Sequence, residues 1–289
     1  MNASRFLAAL LGGALGLHAA SAGSTITTGA QHGYGANIGW TDWKWDPATP
    51  DGVTVGTYVV EGKVYAANVG WIDLGDGAPD DGIHYSLTSG DWGVNHDGAG
   101  GLAGYAYGAN IGWITFAQTW VDPPRVDLAT GAMSGYAYGA NVGWISLDGL
   151  ETTIECGPDS DGDGIDDAWE YEQLAAAGKA ADLNLLGLGD ADQDGSSDVD
   201  EFLADTDPFD GSKRFNLEVV NADKATGDVE LGWNASARRV YDSYSRSALS
   251  SGSWNSLDTD ILGGSYTDAT GSLPLRTFYK VRARIPLKP

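Results

Sequence analysis

Two twelve-residue stretches near the middle of the chain constrain its structure more than any other feature. They run from Asp159 to Glu170 and from Asp190 to Glu201. Both carry Asp at positions 1, 3, 5 and 9, Gly at position 6 and Glu at position 12. A solvated acidic linker gives no reason for Gly at 6 and Glu at 12 in both copies. The spacing is the one that supplies oxygen ligands to calcium, so we expect two calcium sites.

Calcium takes about six to eight hard oxygen ligands in a flexible geometry, whereas magnesium requires a tighter octahedron and keeps more water. Side chains supply most of the predicted ligands, position 7 offers its backbone carbonyl, and position 9 acts directly or through water. In the first loop these are Asp159, Asp161, Asp163, Ile165, Asp167 and Glu170. In the second loop they are Asp190, Asp192, Asp194, Ser196, Asp198 and Glu201.

The segments that flank the loops differ from those of a full EF-hand. A helix is predicted over 168–177, ending at Gly178, and a shorter one around Val199, Phe202 and Leu203. Residues 152–158, before the first loop, indicate extended chain rather than a helix. Such loop-helix units resemble dockerins and thrombospondin type 3 repeats. Loop positions 10 and 11, which bind the cohesin partner in dockerins, are Ala168-Trp169 and Val199-Asp200 and do not match each other, which argues against a cohesin partner. Asp-Gly-Asp-Gly-Ile with a terminal Thr-Asp-Pro is more similar to the thrombospondin type 3-like linkers of bacterial secreted proteins, over about 158–210.

Charge is distributed unevenly along the chain. Residues 23–154 carry 14 acids and 3 bases, net −11, and residues 155–210 carry 18 acids and 1 base, net −17. Residues 211–289 carry 8 acids and 11 bases, net +3. The middle segment needs cations to bring its carboxylates together, and phosphate would be repelled, so we expect no nucleic-acid partner.

The first 22 residues have the features of a secretory signal peptide. Arg5 gives a positive start, an apolar run covers 6–17, and Ala20-Ser21-Ala22 is a small-residue cleavage site. The run is too short to span a bilayer, so we expect an exported chain with no transmembrane segment after signal removal. Cys156 is the single cysteine and is expected to be buried, an intermolecular bridge being the alternative.

The N-terminal half repeats one phrase four times. Gly-Ala-Asn-Ile-Gly-Trp and its variants place Asn at 37, 68, 110 and 141. The phrase predicts strand, turn and strand, with Tyr105 and Tyr107 on one side of a sheet. We therefore expect residues 23–154 to form an all-β repeat domain of four units. The phrase resembles a Gly-Ala-Asn-Ile-Gly-Trp repeat of exported bacterial proteins, a resemblance that implies no activity.

Tryptophan in this half of the chain has two interpretations. One Trp recurs at the same place in each unit, at 40, 71, 113 and 144. Because Trp is highly buried on average, we expect these four to form a ladder in the core, a ligand platform being the alternative. The unrepeated Trp43, Trp45 and Trp92 are the predicted exposed residues, and they are the candidates for stacking on a sugar.

The C-terminal region, 211–289, alternates in the manner of β-strands with turns between them. About seven short strands are expected to form a small sandwich, with Trp233 and Tyr279 in its core and Arg282 and Arg284 on a solvated face. It resembles the fibronectin type III-like modules of bacterial secreted proteins. The predicted fold is thus mainly β: a repeat domain over 23–154, a short helical calcium segment over 155–210 and a small sandwich.

Two functions fit this layout. The first is a secreted calcium-binding structural or adhesive protein, in which the loops rigidify the joint between two β domains. The second is a protein that binds an extracellular polysaccharide, or takes part in degrading one, through aromatic residues of the repeat domain. The chain carries no nucleophile or metal-hydrolase motif, so we expect a non-enzyme at the cell surface or outside the cell.

Overall fold

The structure, a computed structural model, describes residues 23–45, 52–223, 225–247, 253–269 and 277–288. These residues are mainly β, with nineteen strands and two α-helices. The predicted signal peptide lies outside the described residues. Within them, no helix has the length and apolar character needed to cross a membrane.

Thirteen strands precede the acidic segment. In chain order they are β1 (Ile26–Gly35), β2 (Gly39–Asp42), β3 (Val53–Val55), β4 (Val59–Ala66), β5 (Gly70–Asp73), β6 (Val94–His96), β7 (Leu102–Gly108), β8 (Gly112–Phe116), β9 (Arg125–Val126), β10 (Met133–Ser134), β11 (Tyr136–Gly139), β12 (Gly143–Ser146) and β13 (Leu150–Thr152).

Eight of these strands close into a barrel. The order β12-β11-β8-β7-β5-β4-β2-β1 is antiparallel throughout, and β1 also pairs with β12 through Tyr34 and Ser146. Each copy of the repeated phrase forms one hairpin of this barrel, as the sequence predicts. The pairing of β1 with β12 joins the first and last of these eight strands, so neither is left as a free edge. Closure of this kind is one way in which all-β proteins avoid edge-to-edge association.

The hairpin turn depends on the glycine before each tryptophan. Gly39, Gly70, Gly112 and Gly143 all have φ between 76° and 84°, a left-handed conformation that other residues adopt only with strain. The preceding Ile or Val closes the turn, as Ile38 does by donating its N–H to the Gly35 carbonyl. The phrase therefore repeats because the same turn is made four times.

The asparagine of the phrase joins each hairpin to its neighbour. Asn68 Nδ2 donates to the Ile38 carbonyl at 3.0 Å, and Asn110 Nδ2 donates to the Val69 carbonyl at 2.9 Å. Asn141 continues the series to Ile111, and Asn37 donates to Val142, both at 2.9 Å. The four bonds form a closed ring around one end of the barrel, which we call the asparagine ring.

The phrase tryptophans point outward, so the expected core ladder is wrong. Trp40 is 63% exposed, whereas its strand neighbour Thr41 is buried, and Trp113 and Ile114 show the same alternation. Inward-facing side chains from all eight strands fill the interior of a barrel of this size. Residues such as Ala106 and Ile114 fill it, and alternation along the strand then places the larger indole ring outside. Tyr105 and Tyr107 share the outer face, as predicted.

The unrepeated tryptophans also differ from expectation. Trp43 is 4% exposed because it lies on the inward side of the chain with Thr41, to whose Oγ1 its Nε1 donates. Its predicted exposure is therefore wrong. Trp92 is half-buried, and Trp45 is exposed, as the sequence predicts.

Two helices follow the acidic loops. Helix α1 (Asp167–Ala176) has Asp166 as its N-cap, and helix α2 (Asp198–Ala204) begins after Ser197. Both match the predicted helices to within a residue or two. The chain before the first loop is extended, as expected, but a 3₁₀ turn at Leu183–Leu185 precedes the second loop. Cys156 is half-buried rather than buried, because it lies at the margin of the cluster that holds the helices.

The described C-terminal residues form two three-stranded sheets. The strands are β14 (Leu217–Ala222), β15 (Val229–Trp233), β16 (Val240–Arg246), β17 (Asn255–Ile261), β18 (Ser265–Asp268) and β19 (Phe278–Arg284), ordered β14-β15-β18 and β17-β16-β19. Leu231 and Trp233 of one sheet share a buried cluster with Tyr241 and Val281 of the other. The two sheets therefore face each other across a small core.

Four side chains of this region were assigned a place from the sequence. Trp233 is buried as predicted, but Tyr279 is only half-buried and donates from its hydroxyl to Asp268 Oδ2 at 2.9 Å. Arg282 is solvent-exposed as predicted, whereas Arg284 is half-buried and pairs with Asp242, its Nε lying 2.9 Å from Oδ2.

Candidate metal centre

The two acidic loops have the same backbone geometry. In the first loop, the position-1 carboxylate of Asp159 accepts the N–H groups of Gly162, Asp163 and Gly164 at 2.7–3.2 Å. In the second, Asp190 accepts those of residues 193–195 at 2.6–3.2 Å. The glycine at position 6 has φ of 97° in the first loop and 99° in the second, which permits the sharp turn.

This geometry brings the first three acids of each loop together. Asp159, Asp161 and Asp163 each offer a carboxylate oxygen within 4.8 Å of the others. The corresponding residues of the second loop, Asp190, Asp192 and Asp194, meet the same limit. Three like charges at this separation repel one another strongly unless a cation lies between them.

The position-12 glutamates complete each arrangement from the first turn of the following helix. Glu170 is 0% exposed and Glu201 is 1% exposed. Neither carboxylate oxygen of Glu170 has a hydrogen-bond partner among the described residues, and Oε2 of Glu201 also lacks one. A buried carboxylate without a partner carries a large desolvation cost, so these oxygens are the candidates for coordinating a cation.

Further buried oxygens without a hydrogen-bond partner among the described residues occur at position 5 in both loops and at position 3 in the second. They are Oδ2 of Asp163, Asp194 and Asp192. Their other oxygens accept backbone N–H groups two residues onward, as Asp163 Oδ1 accepts from Ile165 at 2.8 Å. Each side chain is therefore held by one oxygen while the other stays free to coordinate.

The electrostatics of the two sites agree with this arrangement. Burial, and next the charge of Asp163, raises the pKa of Glu170 to about 8. Burial, and next the charges of Asp192 and Asp194, raises the pKa of Glu201 to about 8. A divalent cation would offset both causes, because it supplies opposite charge and replaces the lost hydration of the carboxylates.

The position-9 acids are arranged differently from the other predicted ligands. Both oxygens of Asp167 accept hydrogen bonds from Ser160, one from its N–H and one from its hydroxyl. Asp198 accepts from the N–H groups of Ala191 and Gly187. These hydrogen bonds hold the first residues of each loop, and each oxygen of Asp167 and Asp198 has a partner, which is not the case for the acids at positions 5 and 12.

The two loops are neighbours in space. Gly187, just before the second loop, donates its N–H to Asp198 Oδ2 at 3.1 Å. A Cβ atom at residue 187 would lie 2.9 Å from Asp163 Oδ2 in the first loop. Residue 187 therefore lies beside a side chain of each loop. A residue larger than glycine at this position would displace the Asp163 carboxylate.

The helices that carry the glutamates meet in a buried cluster. Trp169, next to Glu170, lies against Phe202, next to Glu201, with ring centroids 5.3 Å apart. Tyr58, which lies between β3 and β4, and Ile285, which follows β19, belong to the same cluster. The acidic segment, the barrel region and the C-terminal region thus each contribute residues to this one buried cluster, beside the separate cores of the barrel and of the C-terminal sheets.

Polar contacts reinforce this joint, and none of them was predicted. Arg238 makes a bidentate pair with Glu172 of α1, and the Tyr58 hydroxyl donates to Glu172 Oε2 at 2.9 Å. The buried Arg239 donates to the carbonyls of Phe202 and Leu203 in α2. Residues 58, 172 and 238 lie far apart in the chain, and no local pattern links them.

No protein-family model, curated protein or solved structure matches the chain.

Proposed function

We propose that this protein binds two calcium ions, one in each acidic loop, and that the ions fix the joint between the N-terminal barrel and the C-terminal sheets. The observation that carries the proposal is the set of buried carboxylate oxygens without a described hydrogen-bond partner at equivalent positions of both loops. Glu170 and Glu201 supply two oxygens each, the first three acids supply further ones, and Ile165 and Ser196 supply carbonyls. This donor set suits a hard cation with high coordination number.

The position of the glutamates supports the link between metal and joint. Glu170 follows Trp169 and Glu201 precedes Phe202, both of which belong to the shared cluster, so ordering either carboxylate also orders the helix that carries its neighbour. Without a cation, mutual repulsion of the carboxylates would loosen the loops. Binding energy would therefore become folding energy for the whole segment.

The proposal favours a permanent role over a switching one. Extracellular calcium modules bind at about 10⁻⁴ to 10⁻³ M, so millimolar calcium would keep such sites filled. The signal-like first 22 residues and the single cysteine agree with export and with stabilisation by metal rather than by disulfides. We infer a structural or adhesive role at the cell surface or outside the cell, with 23–154, 155–210 and 211–289 as its three parts.

Hydrogen exchange with and without calcium tests the joint. We expect calcium to slow amide exchange within 155–210 and also around Tyr58 and Arg238, which touch the segment but not the ions. Magnesium at the same concentration serves as the comparison, and we expect it to protect these amides less. Slowed exchange confined to the loops would mean that calcium binds without fixing the joint, and it would refute that part of the proposal.

A further inference from the structure

The outer face of the barrel carries an aromatic pair on each of its four hairpins. Each pair is a tyrosine and the phrase tryptophan opposite it, with ring centroids 4.8–5.1 Å apart. We call the eight side chains the aromatic belt: Tyr34, Trp40, Tyr65, Trp71, Tyr107, Trp113, Tyr138 and Trp144. The calcium segment and the C-terminal sheets leave all eight exposed by 37–63%.

So much exposed aromatic surface is unusual for a soluble chain. Trp is highly buried on average, and large exposed apolar patches mark interaction sites. The interior of the barrel accounts for the outward direction of the rings, but it does not require that they be aromatic. Burial in the core therefore does not explain the choice of aromatic residues at these positions, whereas contact with a ligand would.

Additional tryptophans fix the belt from the side. Trp45 lies edge-on against Trp71, Trp92 against Trp113 and Trp120 against Trp144, with centroids 4.8–5.1 Å apart. These contacts restrict the indole rotamers and reduce the entropy lost on binding. Among the described residues, Trp40 contacts His32 and Tyr34 but no second tryptophan, and it is the most exposed member of the belt.

Oxygen-bearing side chains alternate with the rings. The strand register places Ser146 opposite Tyr34 and Thr115 opposite Tyr138. Asp42 and Asp73 take the same place opposite Tyr65 and Tyr107. Each tyrosine thus has a hydroxyl or carboxylate beside it on the neighbouring hairpin. A flat apolar face next to hydrogen-bonding oxygens suits a pyranose ring, which has C–H faces and a rim of hydroxyls.

Charge and shape narrow the class of ligand. The belt itself is uncharged, and residues 23–154 carry net −11, which repels anionic polymers. Equivalent pairs on adjacent hairpins are two strands apart, roughly 10 Å at the usual strand spacing. The belt also curves around a closed barrel, so one flat protein surface can cover only part of it. A chain of linked rings can follow the curve and meet successive pairs.

We propose that the aromatic belt binds an uncharged, extended polysaccharide by ring stacking, with Trp40 as the most accessible platform. The belt contains the four phrase tryptophans, for which the sequence offers a ligand platform as the alternative to a core ladder. Of the other sugar candidates, Trp43 is buried, and Trp45 and Trp92 lie edge-on against the belt. Binding here does not involve the calcium ligands.

Retention measurements on the full chain in saturating calcium test the proposal. The probes are insoluble cellulose and chitin, with xylan, mannan and β-glucan in affinity gels and alginate as the anionic comparison. We expect retention on at least one neutral polysaccharide and none on alginate. Trp40→Ala should weaken it about tenfold, or about 1.4 kcal/mol, and Trp40→Ala with Trp71→Ala should abolish it. Trp254→Ala, a tryptophan of the C-terminal sheets, is the matched control and should bind as the parent does.

Several outcomes would overturn the proposal. They are no retention on any neutral polysaccharide, retention on alginate alone, and equal retention by the double variant. A concentration-dependent dimer that the double variant abolishes would assign the belt to contact between copies instead. Should Trp40→Ala fail to fold by circular dichroism, Trp40→Phe keeps a smaller ring against Tyr34 and is expected to bind less tightly than the parent. Parent-like binding by Trp40→Phe would then count against the platform.

Discussion

Arg238 and Glu172 form the most direct link between the C-terminal sheets and the helix that follows the first acidic loop. Nη2 of Arg238 lies 2.8 Å from Oε1 and Nη1 lies 2.5 Å from Oε2, a fork-to-fork pair that is mostly shielded from solvent. The Arg238 side chain also lies over the ring of Tyr58, 5.5 Å from its centroid. One ion pair thus joins all three parts of the molecule.

Removing Arg238 should loosen the joint. We expect Arg238→Ala to lower the free energy of unfolding by about 1.5–3 kcal/mol, because it leaves the half-buried Glu172 carboxylate without its charged partner. Chemical denaturation in saturating calcium measures this. Arg282→Ala, which removes an exposed arginine of β19, is the control and should change stability by less than about 0.5 kcal/mol. Equal effects of the two variants would contradict the importance of the pair.

His96 should make the protein less stable in mild acid. It is fully buried, Nδ1 lies 2.8 Å from the Gly56 carbonyl, and burial lowers its pKa. The bond to Gly56 and the charge of Asp97 raise the pKa and oppose this shift, whereas His84 and Arg238 act in the same direction as burial. The unfolded chain therefore binds a proton more readily, so the contribution of His96 is present above about pH 6.5 and is lost as the pH falls below that value.

Thermal melting of the parent and of His96→Gln at pH 7.5 and 5.5 separates this effect from that of the other titrating groups. The parent should lose more stability between the two pH values than the variant does. A variant with the same pH dependence as the parent would show that His96 is not the cause.

The asparagine ring should contribute to barrel stability one bond at a time. Asn110→Ala removes the bond to the Val69 carbonyl and should cost about 0.5–1.5 kcal/mol, the usual net value of one hydrogen bond. Asn221→Ala, at an exposed position of β14, is the control. Denaturant melts compare the two, and an Asn110 variant as stable as the control would mean that the ring does not hold the hairpins together.

Gly187 should be needed for full calcium affinity at the first proposed site. In Gly187→Ala the new Cβ would crowd Asp163 Oδ2, so we expect weaker binding at the first site with the second less affected. Gly178→Ala is the matched control, since Gly178 also has positive φ but has no atom within 4 Å of an added Cβ. Calorimetric titration resolves the two sites. Unchanged affinity at the first site in Gly187→Ala would contradict the expectation that crowding of the Asp163 carboxylate weakens calcium binding there.

Local features of the molecule could be predicted from the sequence, because they depend on neighbours along the chain. The loops, helix α1 and the four hairpins follow from glycine positions, helix periodicity and alternation. Closure of the barrel did not follow, because the bond from Asn37 to the Val142 carbonyl joins residues 105 positions apart. The direction of Trp40 was mistaken for a similar reason. Alternation separates the tryptophan from the residue after it, but which of the two faces inward depends on how residues from all eight strands fill the closed barrel.

The candidate metal site divides in the same way. Spacing alone selected the acids of each loop, because the loop is one short segment. It could not show that both oxygens of Asp167 bond to Ser160, nor that Glu170 is buried without a partner. It also could not find Glu172, Arg238 or Tyr58, whose contact depends on how three distant segments pack.

Calcium titration followed by thermal melting tests the central claim most directly. At a calcium concentration about 100 times the dissociation constant, each site should add roughly 2.7 kcal/mol, so the melting temperature should rise and return to its starting value with chelator. Glu170→Gln combined with Glu201→Gln should abolish this rise and, without calcium, should melt no lower than the parent, because it removes two repelled carboxylates. Asp200→Asn, an exposed non-ligand acid of the second loop, should keep the full rise. A full calcium-induced rise in the double glutamine variant would contradict the account.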